Sequence, residues 1–149
     1  MPKPSILFLV KKSEKTVQSA GPLPGEWATV TGMQDLDYEA CSDMTWAGYP
    51  DFAFVSEADA IKLGCSAANV AEMKAVALEV QWDKVRVMRE DRIQEQRWRI
   101  DRHNDEIALG REPSEDIEPV LSYVQELRDI PSTQTDPFAI VWPEAPVMR

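Results

Sequence analysis

Apolar and polar positions follow three different periods along this chain, and each period predicts a different kind of element. Ile6-Leu7-Phe8-Leu9-Val10 is an unbroken apolar run, which predicts a strand buried on both faces, with Lys11 to Lys15 as its exposed turn. Trp27-Ala28-Thr29-Val30-Thr31, set between Pro24-Gly25 and Gly32, predicts a second strand. Phe52-Ala53-Phe54-Val55 predicts another after the Gly48-Tyr49-Pro50 break. Residues 1–55 therefore read as a small β-containing unit with irregular loops.

From Ser56 onward the period becomes helical. In Ser56-Glu57-Ala58-Asp59 the serine hydroxyl can accept from a free amide, while the acids suit the positive end of a helix dipole. Gly64 stops that helix after about two turns, and Ser66 caps a second one. From Ala67 to Leu109 there is neither Gly nor Pro, and strong helix formers dominate. At about 1.5 Å per residue this segment would span about 65 Å, against a radius of gyration of about 15 Å for a compact globule of this length. Either the helix breaks near Gln81-Trp82-Asp83 or the molecule is elongated. Leu78, Trp82, Val85 and Met88 form an apolar stripe in its first half. In the second half the stripe thins to Ile93, Ile100 and Ile107, spaced by seven, a seam for docking on a second helix or another chain.

Pro119 suits the first turn of a last helix, and Val120, Tyr123, Val124 and Leu127 follow i, i+3, i+4, i+7 spacing. This predicts a helix from Pro119 to Asp129, folded antiparallel on the long one as a hairpin joined around Gly110 to Glu118. Glu126 and Asp129 are expected to meet the long helix's arginines. After Ile130-Pro131 the chain is expected to leave the helix, with Pro137, Pro143 and Pro146 keeping it extended as a strap. Trp142 in that strap either folds back on the hairpin or binds another chain. The predicted class is α+β: a β-containing unit over 1–55, then a helical region over 56–149 with a long helix, a helical hairpin and an extended C-terminal strap.

Charge refines the picture. The 149 residues carry a net charge of −10, with −3 over 1–55, −2 over 56–110 and −5 over 111–149. An acidic total argues against general nucleic-acid binding, which needs surplus Lys and Arg on the contacting surface. Lys84, Arg86, Arg89, Arg92, Arg97, Arg99 and Arg102 stand among only Glu90, Asp91, Glu95 and Asp101, so a basic stretch precedes an acidic end. Mutual attraction within the hairpin is the simplest use of that polarity, biasing register at roughly 0–1 kcal/mol per surface pair.

Candidate chemistry is sparse. Cys41 and Cys65 have neither metal spacing nor the density of a disulfide scaffold and read as reduced thiols. His103 stands alone in Asp101-Arg102-His103-Asn104-Asp105 and reads as part of a solvated helix face. Asp35, Asp37, Glu39 and Asp43 crowd one loop without the glycine and distal glutamate of a calcium loop. No phosphate-cradling glycine loop is present. The expectation is a protein that is not an enzyme, with no catalytic, cofactor-binding or metal-binding residue and no cofactor. The N-terminal apolar run is too short for a signal peptide, and no stretch approaches the roughly 20 apolar residues of a membrane span.

The C-terminal residues Tyr123-Val124-Gln125-Glu126-Leu127-Arg128-Asp129-Ile130-Pro131, followed by Asp136-Pro137-Phe138-Ala139-Ile140-Val141-Trp142-Pro143-Glu144-Ala145-Pro146, resemble the end of bacteriophage tail fibre assembly proteins, also called tail assembly chaperones. In that family Tyr, three residues, Leu-Arg-Asp-Ile-Pro, a polar spacer, Pro, and Val-Trp-Pro recur in this order. The resemblance covers about residues 85–146. Upstream the family often carries an Arg-x-x-Arg helix, a Leu pair and an Asp-Trp turn, whereas Arg97-Trp98-Arg99-Ile100-Asp101-Arg102 continues helically here. Residues 1–80 carry no recognised resemblance and are expected to decide which partner is bound.

The resemblance implies a protein that helps a trimeric tail fibre fold or assemble in the host cytoplasm, in some relatives remaining at the fibre tip. Its implied partner is a phage tail fibre or other tail protein, with a homo-oligomer as a further option and neither nucleic acid nor membrane. The competing class is a permanent adaptor or fibre-associated part of the virion tail. Candidate partner-binding residues are Trp98, Tyr123, Leu127, Arg128, Asp129, Phe138 and Trp142.

Overall fold

A computed structural model describes residues 5–22 and 51–147. Three strands, β1 (Leu7–Lys11), β2 (Thr16–Gly21) and β3 (Phe52–Val55), precede three helices, α1 (Glu57–Lys62), α2 (Ala67–Ala108) and α3 (Glu118–Thr133). The class is α+β. The chain divides into two compact units, Met1–Val80 and Gln81–Arg149. The strand expected at Trp27–Thr31, the acidic loop from Asp35 to Asp43, and Cys41 lie outside the described residues.

The first unit is built on a three-stranded antiparallel sheet of order β2-β1-β3. β1 takes the centre because its side chains are apolar on both faces. Phe8 and Val10 join Val17, Ala53, Val55, Ala60, Cys65 and Val70 in one buried cluster. Leu7, Leu9 and Phe54 alternate to the opposite face and are at most 1% exposed. Each fully buried side chain of this kind contributes roughly 1.5–3 kcal/mol.

Sequence pattern alone misses β2, since Thr16–Gly21 reads as polar. Its pairing with β1, through a register shift between Leu9 and Val10, supplies the order that its side chains do not. The side chain of Asn69 adds a tie by accepting from the Val17 N–H at 2.8 Å. Asp51 anchors the β1–β2 turn, its carboxylate accepting from the Ser13 N–H at 2.9 Å and from the Ser13 hydroxyl at 2.6 Å.

Helix boundaries follow their capping residues. Ser56 accepts from the Asp59 N–H at 3.3 Å, and Ser66 accepts from the Asn69 N–H at 3.1 Å. Gly64 closes α1 at φ +98°, and a Cβ there would come within 2.9 Å of the Lys15 stem. Gly110 closes α2 in the same way at φ +71°, with the Arg111 N–H donating to the Glu106 carbonyl at 2.9 Å. The segment is helical through Gln81-Trp82-Asp83, so the break considered there does not occur.

In the second unit, Val85 and Ile93 of α2 share a core with Tyr123, Val124, Leu127 and Ile130 of α3. Trp82, Ile100, Ile140 and Trp142 pack partly buried against it. The seam on α2 differs from the expected one in two places. Met88 is 44% exposed, because it lies to one side of the line from Val85 to Ile93. Ile107 is 56% exposed, because at that level α2 meets the polar segment around Ser114 and Glu115 instead of α3.

α3 also outlasts its expected end at Asp129 and runs through Pro131 to Thr133. A proline in the last turn removes only one backbone bond. The Gln134 N–H still reaches the Ile130 carbonyl at 2.9 Å, and the Thr133 hydroxyl donates to the Asp129 carbonyl at 3.2 Å. The expected pairing of Glu126 and Asp129 with the arginines is replaced. Both acids are exposed, Asp129 accepts from Gln125, and the buried acid that meets the arginines is Glu115.

Candidate partner-binding site

Arg92, Gln96 and Arg99 stand at i, i+4 and i+7 on α2, a spacing that places them on one side of the helix. Arg99 is only 5% exposed. Its Nε and Nη2 donate to the two carboxylate oxygens of Glu115 at 2.9 and 2.5 Å, and Nη1 donates to Gln96 Oε1 at 3.0 Å. This two-pronged pairing fixes the guanidinium plane. Arg102 Nη2 adds a bond to Glu115 at 3.0 Å.

The hydrogen bonds from Arg99 hold the Glu115 carboxyl below its ordinary range against the opposing effect of burial. The same bonds raise the Arg99 guanidinium. Glu106 is lowered chiefly by the hydroxyl of Ser114, to which it is bound, so two carboxylates stay charged where the chain turns from α2 towards α3. Among the described residues, Arg102 Nε and His103 Nδ1 are buried without a hydrogen-bond partner, although Arg102 Nε lies 3.7 Å from Glu106.

The residues after α3 run back along this arginine face. Gln81 donates to the Pro137 carbonyl at 3.2 Å, the Arg92 guanidinium lies 4.5 Å from the centre of the Trp142 ring, and Arg99 Nη1 donates to the Pro146 carbonyl at 2.8 Å. Gln134 braces the strap from within, accepting from the Val141 N–H and donating to its carbonyl, both at 2.8 Å. Beside Pro146 a cavity of about 450 Å³ opens between Arg99, Ser114, Glu115, Pro119 and Val147.

The candidate residues fall into two groups. Tyr123 and Leu127 are buried in the unit's own core, with Trp142 half-buried against it. Trp98, at 48% exposed, faces outward with Arg102 over its ring at 5.1 Å. Arg128 and Asp129 are exposed, and Phe138 is half-buried. Sequence reasoning missed Arg92, Arg99, Glu115 and Gln134 as parts of the site. The available signal was polar residues at seam spacing on a helix, Arg92-Gln96-Arg99, which marks a seam that meets polar chain.

The cysteine of the described residues, Cys65, is buried, and burial pushes its thiol up. Among the described residues, no group of three or more His, Cys, Asp or Glu is placed to hold a metal ion. No described helix is long and apolar enough to cross a membrane. Fold and site together define an α+β protein whose second unit is two helices bound by their own proline-rich strap.

The second unit is similar to a known family. A family model described as phage tail assembly chaperone protein matches residues 82–147, the C-terminal part of the chain and nearly the whole of the unit from Gln81 to Arg149. The match ties this unit to phage tail assembly. No curated protein and no solved structure matches the chain.

Proposed function

We propose that the protein is a tail assembly chaperone that binds a fibre or other tail protein of the same phage and assists its folding or assembly. The observation that carries this reading is the family match over residues 82–147, which includes the strap with its Val141-Trp142-Pro143 motif. The proposed role is non-enzymatic, without nucleotide or metal, and belongs to the host cytoplasm during assembly.

The working form of the second unit is an antiparallel helical hairpin. Its contacts support this: Glu106 and Arg99 meet Ser114 and Glu115 before α3, while Gln81 meets Pro137 after it. Unassembled tail proteins expose apolar surface, and a cover with apolar anchors among charges can shield it and then leave. Val87, Trp98 and Leu109, spaced by eleven, are 62%, 48% and 68% exposed. That spacing is three helical turns, so Val87 and Trp98 share a face of α2 away from Val85, Ile93 and Gln96, and Leu109, the first residue past the helix, continues their line. Trp98 is its largest anchor.

Affinity capture of the tagged full chain from cells making the tail proteins should retain one of them, and Trp98→Ala should weaken capture without lowering the melting temperature. Capture of no tail protein would remove the chaperone reading. The alternative, a permanent component of the tail, requires the protein in purified particles at stoichiometric copy number, whereas a transient chaperone is missing from them.

A further inference from the structure

We propose that the arginine face of α2 is a peptide-binding groove, closed in the isolated protein by the chain's own strap, and that it takes an extended, proline-framed segment carrying a tryptophan. The inference goes beyond the chaperone reading and holds whichever tail protein is bound.

How the strap is held carries the argument. From α2 the strap accepts two hydrogen bonds, both at its main chain, on the Pro137 and Pro146 carbonyls, while Gln134 at its own start braces the N–H and carbonyl of Val141. Any extended segment supplies such groups. Side-chain selection is left to the burial of Pro137, the stacking of Trp142 on Arg92 and the packing of Ile140 and Trp142 on the core. Side chains reading a backbone, with one aromatic pocket and prolines fixing the extended form, is the chemistry of peptide-recognition grooves.

The seat is also one-sided. Val141 and Val147 are 77% and 82% exposed, and among the described residues no main-chain hydrogen bond joins the strap to α2. A segment held this way belongs to the least stable part of a fold and opens first. The groove survives its departure, because Arg99 keeps both bonds to Glu115 and its bond to Gln96 without Pro146. A preorganised donor costs little to refill. The cavity beside Pro146 leaves room for a segment bulkier than the strap at that end.

The test uses a fluorescein-labelled synthetic peptide with the sequence of residues 136–147 and the full-length protein. Trp142→Ala should bind the peptide about ten-fold more tightly than wild type, since the competing strap is loosened. Adding Arg92→Ala should abolish the gain, and a peptide with alanine in place of its tryptophan should not bind. In unlabelled form the peptide should move the Trp142 indole resonance of ¹⁵N-labelled wild type towards its undocked position, which tests the same exchange in a chain with no substitution. Equal binding by wild type and Trp142→Ala, retained binding of the tryptophan-free peptide, or an indole resonance unmoved at millimolar peptide would each overturn the proposal. So would a wild-type dimer formed by exchange of straps between two copies.

Discussion

Arg99 shows what a single residue contributes here. It is an arginine at a seam position, made tolerable by a carboxylate from beyond the end of its own helix and by a carbonyl from the strap. Buried pairs of this type add little net stability but are costly to break. Glu115→Gln should therefore lower the unfolding free energy by roughly 1–3 kcal/mol at neutral pH, read from denaturant midpoints. The pH dependence has a definite sign. Because the folded-state value of Glu115 lies below its ordinary 4.5, its stabilisation is present above about pH 4.5 and is lost as pH falls through the depressed value. Glu106 acts in the same direction. The melting temperature should fall below pH 4.5, and Glu115→Gln should flatten that fall. Leu127, fully buried in the shared core, should cost about 2–5 kcal/mol as alanine. A loss below about 0.5 kcal/mol would show that its side chain is not packed as described. Trp142→Ala removes a half-buried ring and its cation contact and should lower the melting temperature of the isolated protein, by about 2 kcal/mol in stability.

Elements whose signals are local were legible in the sequence. The capping serines 56 and 66, the closing glycines 64 and 110, and the four-residue stripe on α3 all act over a few residues and all stand where they were expected. β2 was illegible because what orders it is its neighbour: only Val17 and Gly21 are buried, and the Asn69 side chain comes from a distant helix. Asn69→Ala should leave the Val17 N–H without its acceptor. Amide exchange should then quicken at Val17 while the amides of β1 stay protected. The end of α3 was misread for a different reason. A proline forbids one hydrogen bond, and in a final turn with little left to bond it does not forbid the helix. Glu115 was invisible as a site residue because sequence spacing cannot tell which acid of an acidic stretch the chain will fold under.

At the scale of the whole molecule, the family match and the second compact unit coincide almost residue for residue, so the functional signal belongs to a folded part of the chain. The first unit has its own core around β1 and lies outside the matched residues. The C-terminal motif was readable as a linear pattern, but the reason its tryptophan and prolines occur together appeared only when the strap was seen to lie on Arg92 and Arg99. The proposed role of this protein is to assist a tail protein. The measurement that tests it most directly is the soluble trimeric yield of the phage's fibre and other tail proteins, each expressed with and without this chain. One of them should show a higher yield, with the chain co-purifying from the soluble fraction. Unchanged yields together with no co-purification would contradict it.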